Sequence, residues 1–408
     1  MRIYYGWRLV VTLGVTETIS WGILYYSITV FLAPMEAELG WSRAATSGAF
    51  SVALLVSAVT ALPVGRWLDR HGGRALMTVG SLAAALLVVA WALVERLATF
   101  YAVWIAIGAV MATLLYDPAF TIVTRWFERD RARALTAVTL MAGFASTVFI
   151  PLAGWLVEQV GWRQALLVLA ALQLATALPH AVVLRRAPED LGVGPDGDPL
   201  PAGALAARPA SRPGMSLGTA LRDPTFRWLT AGFALTAFAQ VGASVHLVPY
   251  FLGRGYDPNV AATAAGLIGA VQVAARLVFA RLERRVTRRT LGIVVYLLPA
   301  AALALVLAVP GVTGITLFVV VFGAGRGLTT LARALLVADV YGASRYGSAS
   351  GAIALFATTA QAAAPAVVGA AYDLAGGYDP VFWALAALSL LAAAAVGRVA
   401  GATRPRGG

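Results

Sequence analysis

The chain has 408 residues, of which 60% are hydrophobic and only 12% charged, against the roughly 25% charged residues of a typical soluble domain. It contains no cysteine and three scattered histidines, which excludes a disulfide, a thiolate metal site and a thiol nucleophile and points to no cofactor. All 31 basic residues are arginine, so the lysine of a phosphate-binding Gly-Lys-Ser/Thr loop is missing, which argues against ATP-driven pumping by this chain.

Twelve apolar stretches follow one another along the chain, and each approaches the roughly 20 residues that a helix needs to cross a bilayer. They lie at 8–34, 43–65, 75–94, 98–124, 132–157, 163–184, 228–252, 259–280, 290–309, 311–337, 347–372 and 379–397. The runs are continuous and do not alternate, which favours helices over the strands of a barrel. The first stretch is too long for the apolar part of a signal peptide and contains Glu17, so we expect it to be a membrane span.

The arginines are distributed unevenly between the two sides of the predicted membrane. Counted over the predicted spans, 24 lie at the N-terminus, in the even-numbered loops or at the C-terminus. The others lie in odd-numbered loops or inside predicted helices: Arg43, Arg96, Arg163, Arg254, Arg276, Arg326 and Arg333. Because arginine-rich loops stay in the cytoplasm, we expect a multi-pass protein of a bacterial inner membrane with both termini cytoplasmic. The same distribution accounts for the net charge of +12 without a nucleic-acid partner.

A polar stretch rich in proline and glycine lies between the sixth and seventh predicted spans, at 185–224. Such a composition does not bury a core, so the stretch is predicted to be a flexible cytoplasmic linker. It separates an N-terminal half, 1–184, from a C-terminal half, 225–408, each with six predicted spans. The predicted fold class is an all-α membrane protein with two pseudo-symmetric six-helix halves.

The two halves share features at an offset of 214 or 215 positions. Pro151 then coincides with Pro365, Arg131 with Arg345, and Leu68-Asp69-Arg70 with Leu282-Glu283-Arg284. The common offset at separate places indicates a duplication. Two related six-helix halves are a frequent plan of secondary transporters, in which the substrate is held near the midplane between them.

The loop after the second span reads Gly65-Arg-Trp-Leu-Asp69-Arg70-His-Gly72-Gly73-Arg74. This stretch resembles the loop motif of the major facilitator superfamily. The resemblance implies that Gly65, Asp69, Arg70, Gly72 and Arg74 belong to a latch, in which charges and a helix end hold one access state. The alternative is a solvated turn that only fixes the topology.

Four further stretches resemble the monocarboxylate and oxalate/formate porters of that superfamily. They are Tyr5-Gly6-Trp7, Ser27-Ile-Thr-Val-Phe31, the run from Trp126-Phe127 through Arg131 to Gly143, and Gln272-Val-Ala-Ala-Arg276. The chain departs from those porters in two places: Tyr26 takes the position of their functional lysine, and Gln272 that of an aspartate linked to proton coupling. Drug–proton antiporters usually carry an arginine early in helix four and a Gly-Pro pair in helix five. Here the fourth span opens without arginine and the fifth has Ile150-Pro151, which lowers the drug-efflux interpretation.

Charged residues inside predicted spans need an explanation, because each costs roughly 2.5–3.5 kcal/mol at the bilayer centre on insertion scales. Arg276 shares a helix face with Gln272 at i, i+4 spacing, and its planar fork suits a carboxylate. The alternative is that Arg276 extends towards the cytoplasmic headgroups. Arg326 lies near the middle of its span and needs a carboxylate, a substrate or a water-filled cavity.

Two acidic residues are candidates for proton coupling: Glu17, which forms a stripe with Trp21 and Tyr25, and Asp117, which precedes the probable kink at Pro118. The alternative for each is a structural pairing with a buried arginine such as Arg326. The remaining substrate-binding candidates are polar or aromatic side chains on the predicted path: Tyr25, Tyr26, Tyr116, Gln272, His246 and Gln361. For His246 the alternative is a packing residue with satisfied ring nitrogens.

Together these features predict a secondary transporter for small organic anions of the monocarboxylate type, and not an enzyme. It would work by alternating access in the lipid bilayer, proton-coupled or as an anion exchanger, with a small carboxylate as its partner. We expect a monomer. The alternatives are a drug or toxic-compound efflux transporter of the same superfamily and, in a different class, a membrane-embedded enzyme, sensor or channel.

Overall fold

The structure is a computed structural model that describes residues 4–200, 216–282 and 288–402. Within these ranges the chain is almost entirely helical. The helices before the linker are α1 Tyr5–Trp21, α2 Ile28–Leu39, α3 Arg43–His71, α4 Arg74–Ala92, α5 Leu97–Leu114, α6 Tyr116–Trp126, α7 Arg131–Ala142, α8 Ala145–Ala175 and α9 Ala177–Val183. Those after it are α10 Leu217–Arg222, α11 Pro224–Gly253, α12 Pro258–Leu282, α13 Arg288–Ala308, α14 Gly311–Tyr341, α15 Tyr346–Ala375 and α16 Tyr378–Ala402.

The helices confirm the predicted spans. Among the described residues, nine helical stretches are long and apolar enough to cross a membrane. One of them, Arg131–Val183, is interrupted at Gly161, whose φ of 79° is left-handed and favours glycine, so it holds both the fifth and the sixth predicted span. Two shorter apolar helices, Thr263–Phe279 and Gly292–Ala308, correspond to the eighth and ninth.

Two of the spans contain local breaks that shape the candidate site. In the first span a π-helical turn, Gly22–Tyr26, separates α1 from α2. In the fourth, Leu115 is extended, with a ψ of −165°, and separates α5 from α6. The break comes directly before Tyr116-Asp117-Pro118, where the sequence predicted a kink.

The residues group into two compact units. The first consists of 1–215 with 341–352, and the second of 216–340 with 353–408, so that α15 begins in the first unit and continues in the second. In the first unit α3 packs on α5, α4 on α8 and α1 on α7. In the second, α16 packs on α11 and α13, around a core that includes the fully buried rings of Phe318, Phe322 and Phe382.

Residues 185–200 of the predicted linker make specific contacts with the first unit. This part forms two short 3-10 turns and docks on the loop between α6 and α7. The carboxylate of Asp196 accepts hydrogen bonds from the backbone N–H groups of residues 128–130, at 3.0, 2.8 and 3.3 Å. Asp198 pairs with the guanidinium of Arg129 at 2.8 Å. The tight turns formed by proline and glycine therefore place the carboxylates of Asp196 and Asp198 next to backbone donors and an arginine. Residues 201–215 lie outside the described part of the chain.

Candidate functional site

The motif after the second span meets the start of α15. Asp69 is only 5% exposed, and its two carboxylate oxygens accept hydrogen bonds from the backbone N–H groups of Gly347 and Ser348, each at 2.8 Å. The first N–H groups of a helix lack partners within the helix and carry the positive end of its dipole, so a carboxylate is a favoured acceptor there. Asp69 is therefore not part of a solvated turn.

Other motif residues support this contact in different ways. Gly65 lies against the backbone at the start of α15 with no room for a Cβ atom. Gly72 ends α3 with a left-handed φ of 76°. Arg74 donates from Nε to a backbone carbonyl of α9 at 2.7 Å, whereas the side chain of Arg70 is exposed.

The π turn in the first span gathers aromatic side chains. It is closed by a hydrogen bond of 2.9 Å from the N–H of Ser27 to the carbonyl of Gly22. The ring of Trp21 lies 5.0 Å from that of Tyr25, 6.2 Å from that of Tyr26 and 4.9 Å from that of Tyr116, centroid to centroid. Such turns are rare and frequently occur at functional sites. The three predicted tyrosines are thus brought together around Trp21.

Glu17 lies one helical turn before Trp21 and is 1% exposed. Its carboxyl lies next to the indole N–H of Trp21, and in the part of the chain that the structure describes no other hydrogen-bond donor contacts its oxygens. Burying an ionised carboxylate in this way is strongly disfavoured, whereas a neutral carboxylic acid is tolerated far better. Glu17 is therefore the buried acid beside the aromatic cluster.

Asp117 has a different environment. Its Oδ1 atom accepts a hydrogen bond of 2.6 Å from the hydroxyl of Ser350, in the second turn of α15. Ser350 is 1% exposed, and nothing in the sequence pattern singled it out. The two acidic candidates of the first unit therefore differ in their contacts: Asp117 accepts a serine hydroxyl, whereas Glu17 lies beside the indole of Trp21, close enough to Asp117 for the two groups to interact electrostatically.

In the second unit, Arg276 is buried between two closely packed helices. It is 6% exposed, and its Nε donates to the carbonyl oxygen of Gly327 in α14 at 3.1 Å. A Cβ atom on Gly327 would lie 2.5 Å from the carbonyl oxygen of Gln272, so α12 and α14 approach backbone to backbone at this level. The burial of Arg276 contradicts the alternative of a side chain extended to the headgroups.

Polar side chains of α11 meet α14 next to this contact. The guanidinium of Arg326 donates to the hydroxyl of Ser244. The side-chain amide of Gln240 donates to the hydroxyl of Thr329 at 3.1 Å. Arg326 is thus placed in the same unit as Arg276 and beside its acceptor Gly327, and sequence reasoning did not place Gln240, Ser244 or Thr329 in the site.

The hydrogen bonds of His246 do not involve these arginines, and Gln361 is exposed. The ring nitrogens of His246 lie 3.1 Å from the hydroxyl of Tyr378 and 3.1 Å from the carbonyl oxygen of Pro365. Both nitrogens are therefore occupied within the second unit, as the packing alternative expects.

His180 lies in a buried network of polar side chains, which the sequence pattern did not predict. Its ring nitrogens lie 2.9 Å from the hydroxyls of Ser81 and Thr16. Thr176 extends the chain from Ser81 at 2.9 Å, and Gln173 continues it to Ser20 at 3.2 Å. The network ties the first, third and sixth spans and satisfies polar groups that hydrocarbon could not.

Comparison with known proteins identifies the family. The sequence matches the model of the Major Facilitator Superfamily over residues 15–365. Monocarboxylate transporter 13 of Bos taurus is 27% identical over 262 residues, covering 63% of this chain and 57% of the relative, which is less than two thirds of its length. Monocarboxylate transporter 12 of Xenopus laevis is 23% identical over 394 residues, covering 92% of this chain and 85% of the relative.

Solved structures show the same fold. The human organic anion transporter MFSD10 superposes with a TM-score of 0.74 at 16% identity, covering 96% of this chain and 99% of that one. The E. coli fucose:proton symporter superposes with a TM-score of 0.72 at 15% identity, covering 96% and 97%. The chain belongs to the Major Facilitator Superfamily, a family of membrane transporters and not of enzymes, and resembles its monocarboxylate transporters at low identity.

Proposed function

We propose that this protein is a secondary transporter for small organic anions of the monocarboxylate type. The observation that carries the proposal is the burial of Arg276 among apolar membrane helices. A guanidinium at such a position needs an anion, a backbone acceptor or a wet cleft to offset its desolvation. Several of the relatives that the chain matches are named monocarboxylate transporters, which supports a carboxylate as the anion.

Arg276 holds the substrate carboxylate in this proposal. The bond from its Nε to Gly327 fixes the plane of the guanidinium, and the terminal nitrogens are the pair that grips a carboxylate through two parallel hydrogen bonds. Gln272, one turn earlier on α12, supplies a further polar contact. Within the first unit, Tyr25, Tyr26 and Tyr116 are proposed separately as substrate-binding residues, because the aromatic cluster around Trp21 offers hydroxyls and apolar surface.

The other candidates have different weights. Arg326 is proposed as a second anion-binding group, positioned by its contact with Ser244. Gln361 is proposed to line the path because its side chain is exposed. For His246, engagement with Tyr378 and Pro365 favours a structural role over direct substrate contact.

Proton coupling is proposed to run through Glu17. Its buried carboxyl lies beside the indole N–H of Trp21 among apolar side chains, where an ionised carboxylate is costly to bury. Loss of that proton would require water or a cation to reach it, which ties its release to a change of access. Asp117 remains the second candidate, and anion exchange is the alternative mode.

Alternating access is proposed to use the contact of Asp69 with the start of α15 as its latch, with Gly65, Arg70, Gly72 and Arg74 around it. The distribution of arginines supports cytoplasmic termini, and a bacterial-type inner membrane and a monomeric state are further parts of the proposal. The alternative, a drug efflux transporter, has less support because the matched relatives are named for carboxylates.

The test is uptake of labelled lactate and related acids into proteoliposomes. Arg276→Ala is expected to lower the apparent affinity for the acid by about tenfold or more, because a hydrogen bond to a charged group contributes about 1.5–3 kcal/mol. Arg281→Ala is the matched control, since this arginine lies on the same helix with an exposed side chain. Unchanged affinity in Arg276→Ala removes it from the site, and drug resistance without acid uptake favours the efflux alternative.

A further inference from the structure

The start of α15 is held to the first unit at more than one level. The carboxylate of Asp69 accepts hydrogen bonds from the backbone N–H groups of Gly347 and Ser348, in the first turn of α15. One helical turn after Gly347, Gly351 lies against the backbone of Ala61, again with no space for a Cβ atom. The first turns of α15 therefore run along the end of α3 in direct backbone contact.

Ser350 makes a contact that reaches further into the first unit. Its hydroxyl donates to Oδ1 of Asp117 at 2.6 Å, between side chains that are 233 positions apart in the sequence. Asp117 lies in the first turn of α6, nine residues before its end at Trp126. At a rise of about 1.5 Å per residue, the contact lies about 13 Å along the helix from that end.

The position of Asp117 depends on the break in the fourth span. The extended backbone at Leu115 ends α5 and starts α6, so that Asp117 lies in the first turn of a new helix. A hydrogen bond from a hydroxyl to a carboxylate is stronger than one to a neutral acceptor. The same carboxylate belongs to the candidates of the transport path.

We propose that Ser350 is a positioning residue, whose hydroxyl ties the start of α15 to Asp117 and adds a second attachment to the latch at Asp69. Any donor that competes with Ser350 for Oδ1 of Asp117 weakens the attachment of the start of α15. The contact thereby connects the transport path to the latch. The inference rests on the latch of the proposed function and is independent of the substrate class.

The absence of cysteine from the sequence allows a direct test. Ala349→Cys and Ala352→Cys place a thiol on α15 at positions that are 0% exposed, and Ser344→Cys places one at an exposed position as a control. Labelling of the purified protein by a water-soluble maleimide then measures how often the start of α15 leaves its contact. Two buried reporters guard against a local effect of either thiol.

Ser350→Ala and Asp117→Ala are each expected to raise the labelling rate of the buried reporters by about tenfold or more, as loss of a charge-assisted hydrogen bond implies. The double variant is expected to label no faster than the faster single variant, because both remove the same bond. Ser350→Thr keeps a hydroxyl and is expected to label more slowly than Ser350→Ala. This comparison distinguishes loss of the bond from a general loss of folding.

Two further variants separate the possible failures. Asp69→Asn is expected to raise labelling by itself, and Ser389→Ala, which removes a buried hydroxyl bonded only within its own helix, is expected to leave it unchanged. Faster labelling in Asp69→Asn with no change in Ser350→Ala overturns the inference and leaves the latch standing. No change in either variant overturns both, and additive effects of Ser350→Ala and Asp117→Ala overturn the proposed connection.

Discussion

Replacing Gly327 by alanine is expected to displace Arg276 from its present position. A Cβ atom there would lie 2.5 Å from the carbonyl oxygen and 2.9 Å from the Cα atom of Gln272, whereas ordinary contact begins at 3.4 Å. Because both obstacles are backbone atoms, α12 and α14 have to part by about 0.9 Å. A movement of that size away from Gly327 extends the 3.1 Å bond from Arg276 Nε to about 4.0 Å, beyond the roughly 3.2 Å limit of an N–H···O hydrogen bond.

Gly327→Ala is expected to reduce both the stability of the protein and its uptake activity. Overpacking of a close contact costs about 1–3 kcal/mol, which lowers the thermal stability of the purified protein. An error of about 1 Å in the position of a binding group can cost about 100-fold in activity, so carboxylate uptake at low substrate concentration is expected to fall by about 10- to 100-fold. The measurements are thermal unfolding in detergent and the dependence of initial uptake rate on acid concentration in proteoliposomes.

Gly266→Ala and Gly269→Ala are the matched controls. Both glycines lie on α12, the helix that carries Arg276, and a Cβ atom at either meets nothing within 4 Å. Alanine in a helix interior is favoured over glycine by about 0.5–1 kcal/mol, so these variants should transport like the wild type and unfold no earlier. Wild-type uptake in Gly327→Ala, or an equal loss in the controls, would refute the claim that backbone contact positions Arg276.

The remaining predictions concern stability and order in the first unit. Arg163→Ala is expected to lower the free energy of unfolding by about 1–3 kcal/mol, because its guanidinium donates to the carbonyl of the last residue of α4, to that of Val94 and to Glu38. Glu38→Gln is expected to cost less than about 1 kcal/mol, since the ion pair is half-exposed; chemical denaturation in detergent compares the two, and the opposite order would contradict the reasoning. Asp196→Ala is expected to speed hydrogen exchange at the amides of 128–130, followed by mass spectrometry, because their acceptor is lost. Asp198→Ala, which removes only a side-chain pair, should leave those amides protected.

The helices followed from the sequence because their cause is local. A run of apolar residues long enough to span a bilayer must satisfy its own backbone hydrogen bonds, and a helix does so within the segment. The break before Pro118 and the interruption at Gly161 also lie where proline or glycine stands. The π turn at Gly22–Tyr26 also begins at a glycine, but glycine is frequent in membrane helices, so its presence alone does not predict a π turn.

The candidate site was predictable only in part, because its contacts join distant positions. The charge of Arg276 inside an apolar run identified it as a candidate, since charge is costly there at any orientation. Ser350 and Thr329 carry no such cost and are common in membrane helices, so nothing in the sequence singles them out. The contacts of residues 188–199 could not be predicted from composition, because they depend on one carboxylate, that of Asp196, accepting from three specific backbone N–H groups.

The duplication leaves a physical trace in two ion pairs. Glu38 and Arg163 pair within the first unit at 3.0 Å, and Arg254 and Asp379 pair within the second at 2.6 Å. One shift of 216 positions carries 38 to 254 and 163 to 379, so the second pair occupies the place of the first with the signs exchanged. In the second unit this pairing with Asp379 raises the pKa of Arg254. What the two units share is therefore the pairing of the end of their first helix with the start of their sixth, and not the sign at either place. A contact that survives reversal of its charges acts through its geometry, so we infer that each pair holds the ends of two helices together within its own unit.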